Sequence, residues 1–89
     1  MKYQLKPTSK FKQDIKTAKK RGYDLSLLTE VLDILAAGEQ LPPKDKDHNL
    51  IGNYKGCREC HIQPDWLLIY EVSENVLYLA RTGTHSDLF

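Results

Sequence analysis

The chain has three histidines, His48, His61 and His85. Imidazole changes charge close to neutral pH and can both take and give a proton, so these positions are candidates for general acid–base chemistry. Asp65 follows His61 across Ile62, Gln63 and Pro64 and would add a carboxylate, and Trp66 beside it would add a flat apolar ring. Taken singly, each histidine is better explained as a surface or structural residue than as a catalytic one. What joins them is that each falls at the end of an expected element, where sites are commonly assembled.

His61 also closes the run Cys57-Arg-Glu-Cys-His61, which has the C-x-x-C-H spacing of covalent haem attachment and begins like a redox or zinc motif. The run is expected to be a strand, and strand side chains alternate between faces. Cys57, Glu59 and His61 then point one way, and Arg58, Cys60 and Ile62 the other. Thiols on opposite faces cannot clamp a haem or share a zinc ion. No helix start is expected there to lower a thiol pKa. The cysteines are therefore read as small, partly buried fillers, and no metal or cofactor is expected.

Charge narrows the substrate class. The net charge is only +1, yet residues 1–22 hold eight basic groups against Asp14 alone. Lys12, Lys16, Lys19 and Lys20 make a stripe on the first expected helix. It is either a polyanion-docking surface or a solvated helix face. No apolar run approaches the length of a membrane span, and the sequence opens without an apolar signal core. A cytoplasmic, thiol-reduced protein without membrane contact is the expectation.

The elements that must position these residues follow from periodicity. Tyr3–Lys6 alternates weakly, as in a short strand. Thr8 or Ser9 caps a helix running to about Arg21, with Phe11, Ile15 and Ala18 on one face. Gly22 ends it and Asp24 caps a second helix. That helix carries the apolar stripe Leu25, Leu28, Val31, Leu32 and Leu35, and it stops at Gly38. Residues 39–56 form a loop that is long for a chain of 89 residues. Strands are expected over Cys57–Gln63, Trp66–Val72 and Val76–Thr82. The class is α+β in the order β-α-α-β-β-β, a single domain over 1–89. Its small, mostly antiparallel sheet has both helices on one face.

The hairpin sets the expected site. If Pro64-Asp65 is the turn, Gln63 faces Trp66 and His61 faces Leu68. His61 and Trp66 would then share the open face, while Leu67, Ile69 and Ile62 turn toward the helices. Imidazoles and a carboxylate beside a basic helix suit a metal-free ribonuclease. Such an enzyme needs a base for the ribose 2′-OH, an acid for the leaving 5′-oxygen and donors for the phosphate. Aromatic rings that stack on splayed bases complete it.

Three segments, Lys46-Asp-His-Asn-Leu50, Cys60-His-Ile-Gln-Pro-Asp-Trp-Leu-Leu-Ile-Tyr70 and Arg81-Thr-Gly-Thr-His-Ser-Asp-Leu-Phe89, resemble the YafQ branch of the RelE-type toxins, bacterial mRNA interferases of type II toxin–antitoxin systems. The similarity runs over nearly the whole chain. It implies a RelE-like fold and ribosome-dependent cutting of mRNA in the A site, without a cofactor, by 2′-OH attack that leaves a 2′,3′-cyclic phosphate. It also implies a cognate antitoxin, with operator DNA met only through that partner. The family's site residues carry over onto His48, His61, Asp65, Trp66, His85 and Phe89. The roles expected are His85 as acid, Asp65 (with His48) as base and His61 on the phosphate, with Trp66 and Phe89 stacking on or bracing bases. Arg81 is expected on phosphate or in a salt bridge, and Lys12, Lys16, Lys19 and Lys20 on ribosomal RNA. Tyr54, Lys55 and Tyr70 are weaker candidates. The competing reading is a RelE-fold module that binds RNA or protein without cutting.

Overall fold

The computed structural model describes residues 2–89. Strand β1 (Gln4–Pro7) leads into helix α1 (Ser9–Lys20) and helix α2 (Leu25–Ala36). Thr8 caps α1 in two directions: its hydroxyl accepts from the Phe11 N–H at 3.1 Å and donates to the Ala80 carbonyl at 2.8 Å. One residue thus starts the helix and ties it to the far end of the chain. Gly22, at φ 78°, turns the chain out of α1 at no steric cost, and the Asp24 carboxylate accepts from Ser26 N–H to start α2. Strands β2 (His48–Asn49), β3 (Arg58–Gln63), β4 (Trp66–Ser73) and β5 (Val76–Gly83) follow, then a short helix α3 (His85–Leu88).

The sheet order is β1-β5-β4-β3-β2. β1 runs parallel to β5 and every other pair is antiparallel. The expected α+β class and mostly antiparallel sheet are present, and the two N-terminal helices pack on one face as expected. On the helix side, Phe11, Leu28, Val31 and Leu35 pack on Cys60, Leu68, Tyr70, Leu77 and Leu79. On the opposite side a smaller cluster of Leu67, Ile69 and Leu88 lies beneath α3.

Three features were not expected. The segment 39–56 is organised by 3-10 turns at Pro43–Asp45 and Gly52–Tyr54 and by the two-residue strand β2. Asp47 holds it down: its carboxylate accepts from Tyr70 Oη at 2.7 Å and Arg58 Nε at 3.0 Å. The residues after β5 form a capped helix. The third feature is a bulge.

Gln63 faces Trp66 as expected, but the register shifts between His61 and Gln63, so His61 faces Leu67 rather than Leu68. One extra residue, Ile62, exchanges the faces of everything before it relative to β4. Leu67 and Ile69 therefore share the open face with His61. Trp66 turns to the helices, where it is 2 % exposed. Its Nε1–H donates to Thr82 Oγ1 at 2.9 Å, and Tyr23 lies 4.9 Å from it, ring to ring. This corrects the stacking role expected for Trp66, because a buried ring offers no face to a base. Trp66→Ala is accordingly expected to lower stability by about 3–5 kcal/mol. A fall in the denaturant midpoint checks this, and a wild-type midpoint would refute it.

Candidate active site

The open face of β3 carries the first two histidines through the same residue, Glu59. His48 sits opposite Glu59 across the β2–β3 pairing. His61 follows Glu59 on the same strand face, one alternation away. Glu59 Oε1 lies 3.4 Å from His48 Nε2 and 3.7 Å from His61 Nε2. The Glu59 side chain is only 6 % exposed, and its Oε2 has no hydrogen-bond partner among the described residues. An unsatisfied buried polar oxygen is costly enough to point to function. Sequence reasoning put Glu59 on the correct face but gave it no role.

His48 is oriented from its other side. Its Nδ1 lies 2.7 Å from the Lys46 carbonyl, which can only accept, so Nδ1 carries the proton and Nε2 faces Glu59. Lys46 reaches this position in a left-handed backbone conformation, φ 51° and ψ 44°, at the end of the Pro43–Asp45 turn.

His85 arrives from the opposite end of the chain. Gly83 lets β5 turn into α3: a Cβ there would stand 2.9 Å from Asp87 Oδ2. Thr84 caps α3 in a reciprocal capping box with Asp87. Asp87 also takes both arms of Arg21, at 2.6 and 3.0 Å, and these partners hold its carboxyl well below the ordinary range. Thus pinned, α3 places His85 against the β3–β4 turn. There Asp65 Oδ1 accepts from the His85 backbone N–H at 3.1 Å and lies 2.8 Å from His85 Nδ1. Those two hydrogen bonds hold Asp65 below its usual pKa. His85 Nε2 makes no hydrogen bond among the described residues, and the His61 and His85 rings lie 5.9 Å apart.

Phe89 continues this surface. It is 64 % exposed, its ring lies 6.4 Å from His85, and Tyr54 meets it edge-on at 5.4 Å. Tyr54 Oη donates to the Leu88 carbonyl at 3.0 Å and so braces the same helix.

His48, His61, Asp65, His85 and Phe89 are therefore assembled as one site, and Glu59 joins them. Arg81 does not stand free. Asp14 accepts from its Nε and Nη2 at 2.8 and 3.1 Å and also from the Thr82 N–H. Of the two roles expected for Arg81, phosphate contact or salt bridge, the structure forms the salt bridge, which ties β5 to α1. Lys12, Lys16, Lys19 and Lys20 are exposed along α1, outside this cluster. Cys57 and Cys60 are both unpaired, and Cys60 is buried on the helix side, where burial pushes its thiol well up.

Chemically, the arrangement is a carboxylate flanked by two imidazoles, faced by a third imidazole with its own carboxylate. Glu59, His61 and His85 each bring a ligand atom within 4.8 Å of the others, a spacing that could also hold a metal ion. The orphaned Glu59 oxygen fits that reading as well as it fits a proton acceptor.

A small mixed sheet with two helices on one face and an imidazole–carboxylate cluster on the other is a RelE-like architecture. The match is particular. Residues 3–89 fit the family model described as bacterial toxin of type II toxin–antitoxin system, YafQ, and the chain belongs to that family. It is 40% identical over 83 residues to the mRNA interferase toxin YafQ of Escherichia coli K12, covering 92% of this chain and 90% of that protein. The crystal structure of YafQ from E. coli BL21(DE3) superposes with a TM-score of 0.93 at 36% identity, covering 98% of both chains. YafQ in the E. coli DinJ–YafQ toxin–antitoxin complex matches with a TM-score of 0.90 at 37% identity, covering 100% of this chain and 99% of that one. A metal-bound toxin from Helicobacter pylori is 46% identical, with a TM-score of 0.91 and coverage of 98% and 99%.

Proposed function

We propose that this chain is an mRNA interferase that enters the ribosomal A site and cuts mRNA by metal-independent attack of a ribose 2′-OH on the adjacent phosphate. The observation that carries this reading is the grip on His85. Asp65 fixes its Nδ1 at 2.8 Å, which aims Nε2 into a cluster already holding Glu59, His48 and His61. In its protonated form His85 gives its Nε2 proton to the leaving 5′-oxygen. Glu59 takes the 2′-OH proton. His48 and His61, beside that carboxylate, hold the phosphate as negative charge builds. Because Asp65 is engaged in orienting His85, the base role passes from it to Glu59. Phe89 stacks on a base at the mouth of the site.

A cognate antitoxin neutralises the enzyme, as DinJ partners YafQ in the E. coli complex. The toxin then meets operator DNA only through that partner, and its cytoplasmic target is the translating ribosome. Inducing the chain in growing bacteria and mapping mRNA 5′ ends tests the reading. Growth arrest with codon-phased cuts, reversed by the antitoxin, is expected. Arrest without cuts would favour a binding module, and cuts in ribosome-free RNA alone would remove the ribosome from the mechanism.

Two expectations belong to this mechanism. Chelator leaves cleavage intact, whereas added zinc or copper slows it, because a metal on Glu59, His61 and His85 occupies the lone pairs that move protons. Double replacement of Cys57 and Cys60 by Ser leaves both results unchanged. Cleavage lost to chelator and restored by metal would overturn the metal-free route. For docking, replacing Lys12, Lys16, Lys19 and Lys20 together by Gln is expected to weaken ribosome binding and flatten its salt dependence, with the fold retained. Unchanged affinity in a sedimentation assay would leave the stripe as a solvated face.

A further inference from the structure

A second recess opens beside the acid–base cluster. His61 stands in its wall, with Ile62, Gln63 and Pro64 along one side and Lys44, Asp45 and Lys46 along the other. Its volume is about 360 Å³, at the lower end of the range for small-molecule sites. Resting on the nuclease reading above, we propose that this recess seats one nucleotide flanking the scissile phosphate and that Gln63 reads its base.

The chemistry of the walls matches a nucleotide. Lys44 and Lys46 are both exposed, and neither takes part in an ion pair among the described residues. They supply two ammonium groups for backbone phosphate. Ile62 and Pro64 supply apolar surface for a base, and Ile62 is anchored on the helix-side core. The exposed Gln63 amide carries both donors and an acceptor and makes no hydrogen bond through its side chain among the described residues, so it can pair with a base edge. The bulge between His61 and Gln63 puts this amide next to the catalytic face rather than on it. β2 pairs only with Arg58 and Glu59, so the outer edge of β3 beyond Glu59 is not covered by a strand.

Lys46 gives an independent reason. Its φ of 51° is a conformation that glycine adopts freely and that other residues adopt at a cost. A glycine would hold the turn, and its carbonyl would still meet His48. Lysine at this position adds an ammonium to the recess wall and strain to the backbone. A purely structural residue would show the opposite balance.

The test uses the full-length toxin on mRNA-programmed ribosomes, together with 5′-end mapping after induction. Lys46→Gly is expected to melt at the same temperature or higher, yet to raise KM several-fold, with Lys44→Gln adding to that effect. Gln63→Glu, which removes the amide donors while keeping the shape, is expected to change the base frequency about tenfold at a single position flanking the cut. The overall number of cuts should fall less than the preference shifts. Unchanged base preference in Gln63→Glu, or an unchanged KM in Lys46→Gly, overturns the proposal while the unaltered chain still cuts. Failure of the unaltered chain to cut on ribosomes instead counts against the nuclease reading, and the two failures are thereby separable.

Discussion

His85→Gln is expected to abolish toxicity while leaving a folded, antitoxin-binding protein. Losing a positioned acid typically costs about 10²–10⁴-fold in rate. Glutamine keeps an N–H that can reach Asp65, so the fit of α3 against the β3–β4 turn survives. What holds α3 in place is mostly elsewhere: the Thr84 capping box, the Arg21–Asp87 pair and Leu88, buried against Leu67 and Ile69. Truncation before His85 is the poorer experiment, since it also removes buried Leu88. Acid does not mimic the substitution. Asp87 has its folded pKa depressed, so its contribution is complete above its ordinary value of 3.8 and is lost only as pH falls through the lower folded value. Asp65 follows the same sign. α3 therefore stays docked across the range where an imidazole titrates, and an acid limb in the cleavage profile belongs to the catalytic cluster. Single-turnover cleavage on programmed ribosomes, beside a thermal melt, checks this. Wild-type cleavage by His85→Gln would place the acid elsewhere, with His61 the next candidate.

The order of elements was legible because it rests on local signals. Thr8, Gly22, Asp24 and Gly38 punctuate the helices by side-chain capping and backbone freedom, which act within a few residues. That His61 and His85 share a site was legible through the resemblance of their segments to a known family; Gly83 is where the structure turns the chain to bring it about. Trp66 was misplaced for a specific reason. Strand parity carries over from one strand to the next only if pairing is unbroken, and the single unpaired residue Ile62 reverses it. Nothing in Cys60-His-Ile-Gln announces a bulge, because its cause is how β3 packs on the rest of the fold. Arg81 and Asp14 are another case. Their pairing spans 67 positions and depends on how α1 lies on β5. The role of Glu59 escaped notice although its facing was deduced. Its significance comes from His48, which reaches it across β2, a strand too short to show periodicity.

Glu59 carries the other large expectation. Glu59→Gln is predicted to cut the cleavage rate by about 10²-fold or more, as for removal of a general base. The same substitution should leave the melting temperature unchanged or raise it. Gln matches Glu in volume and is uncharged, so burying an unpartnered oxygen costs less than with the native carboxylate. A merely structural Glu59 would behave the other way, losing stability and activity together. The pH profile separates the roles further. If Glu59 is the base, its removal should abolish the part of the profile that reports the base, rather than only lower the whole curve. Glu59→Asp, shorter by one methylene, should recover part of the rate if the carboxylate itself takes the 2′-OH proton. If Glu59→Gln cleaves at the native rate with the native profile, the base lies elsewhere. Asp65, whose side chain is 66% exposed beside His85, then becomes the acceptor to test.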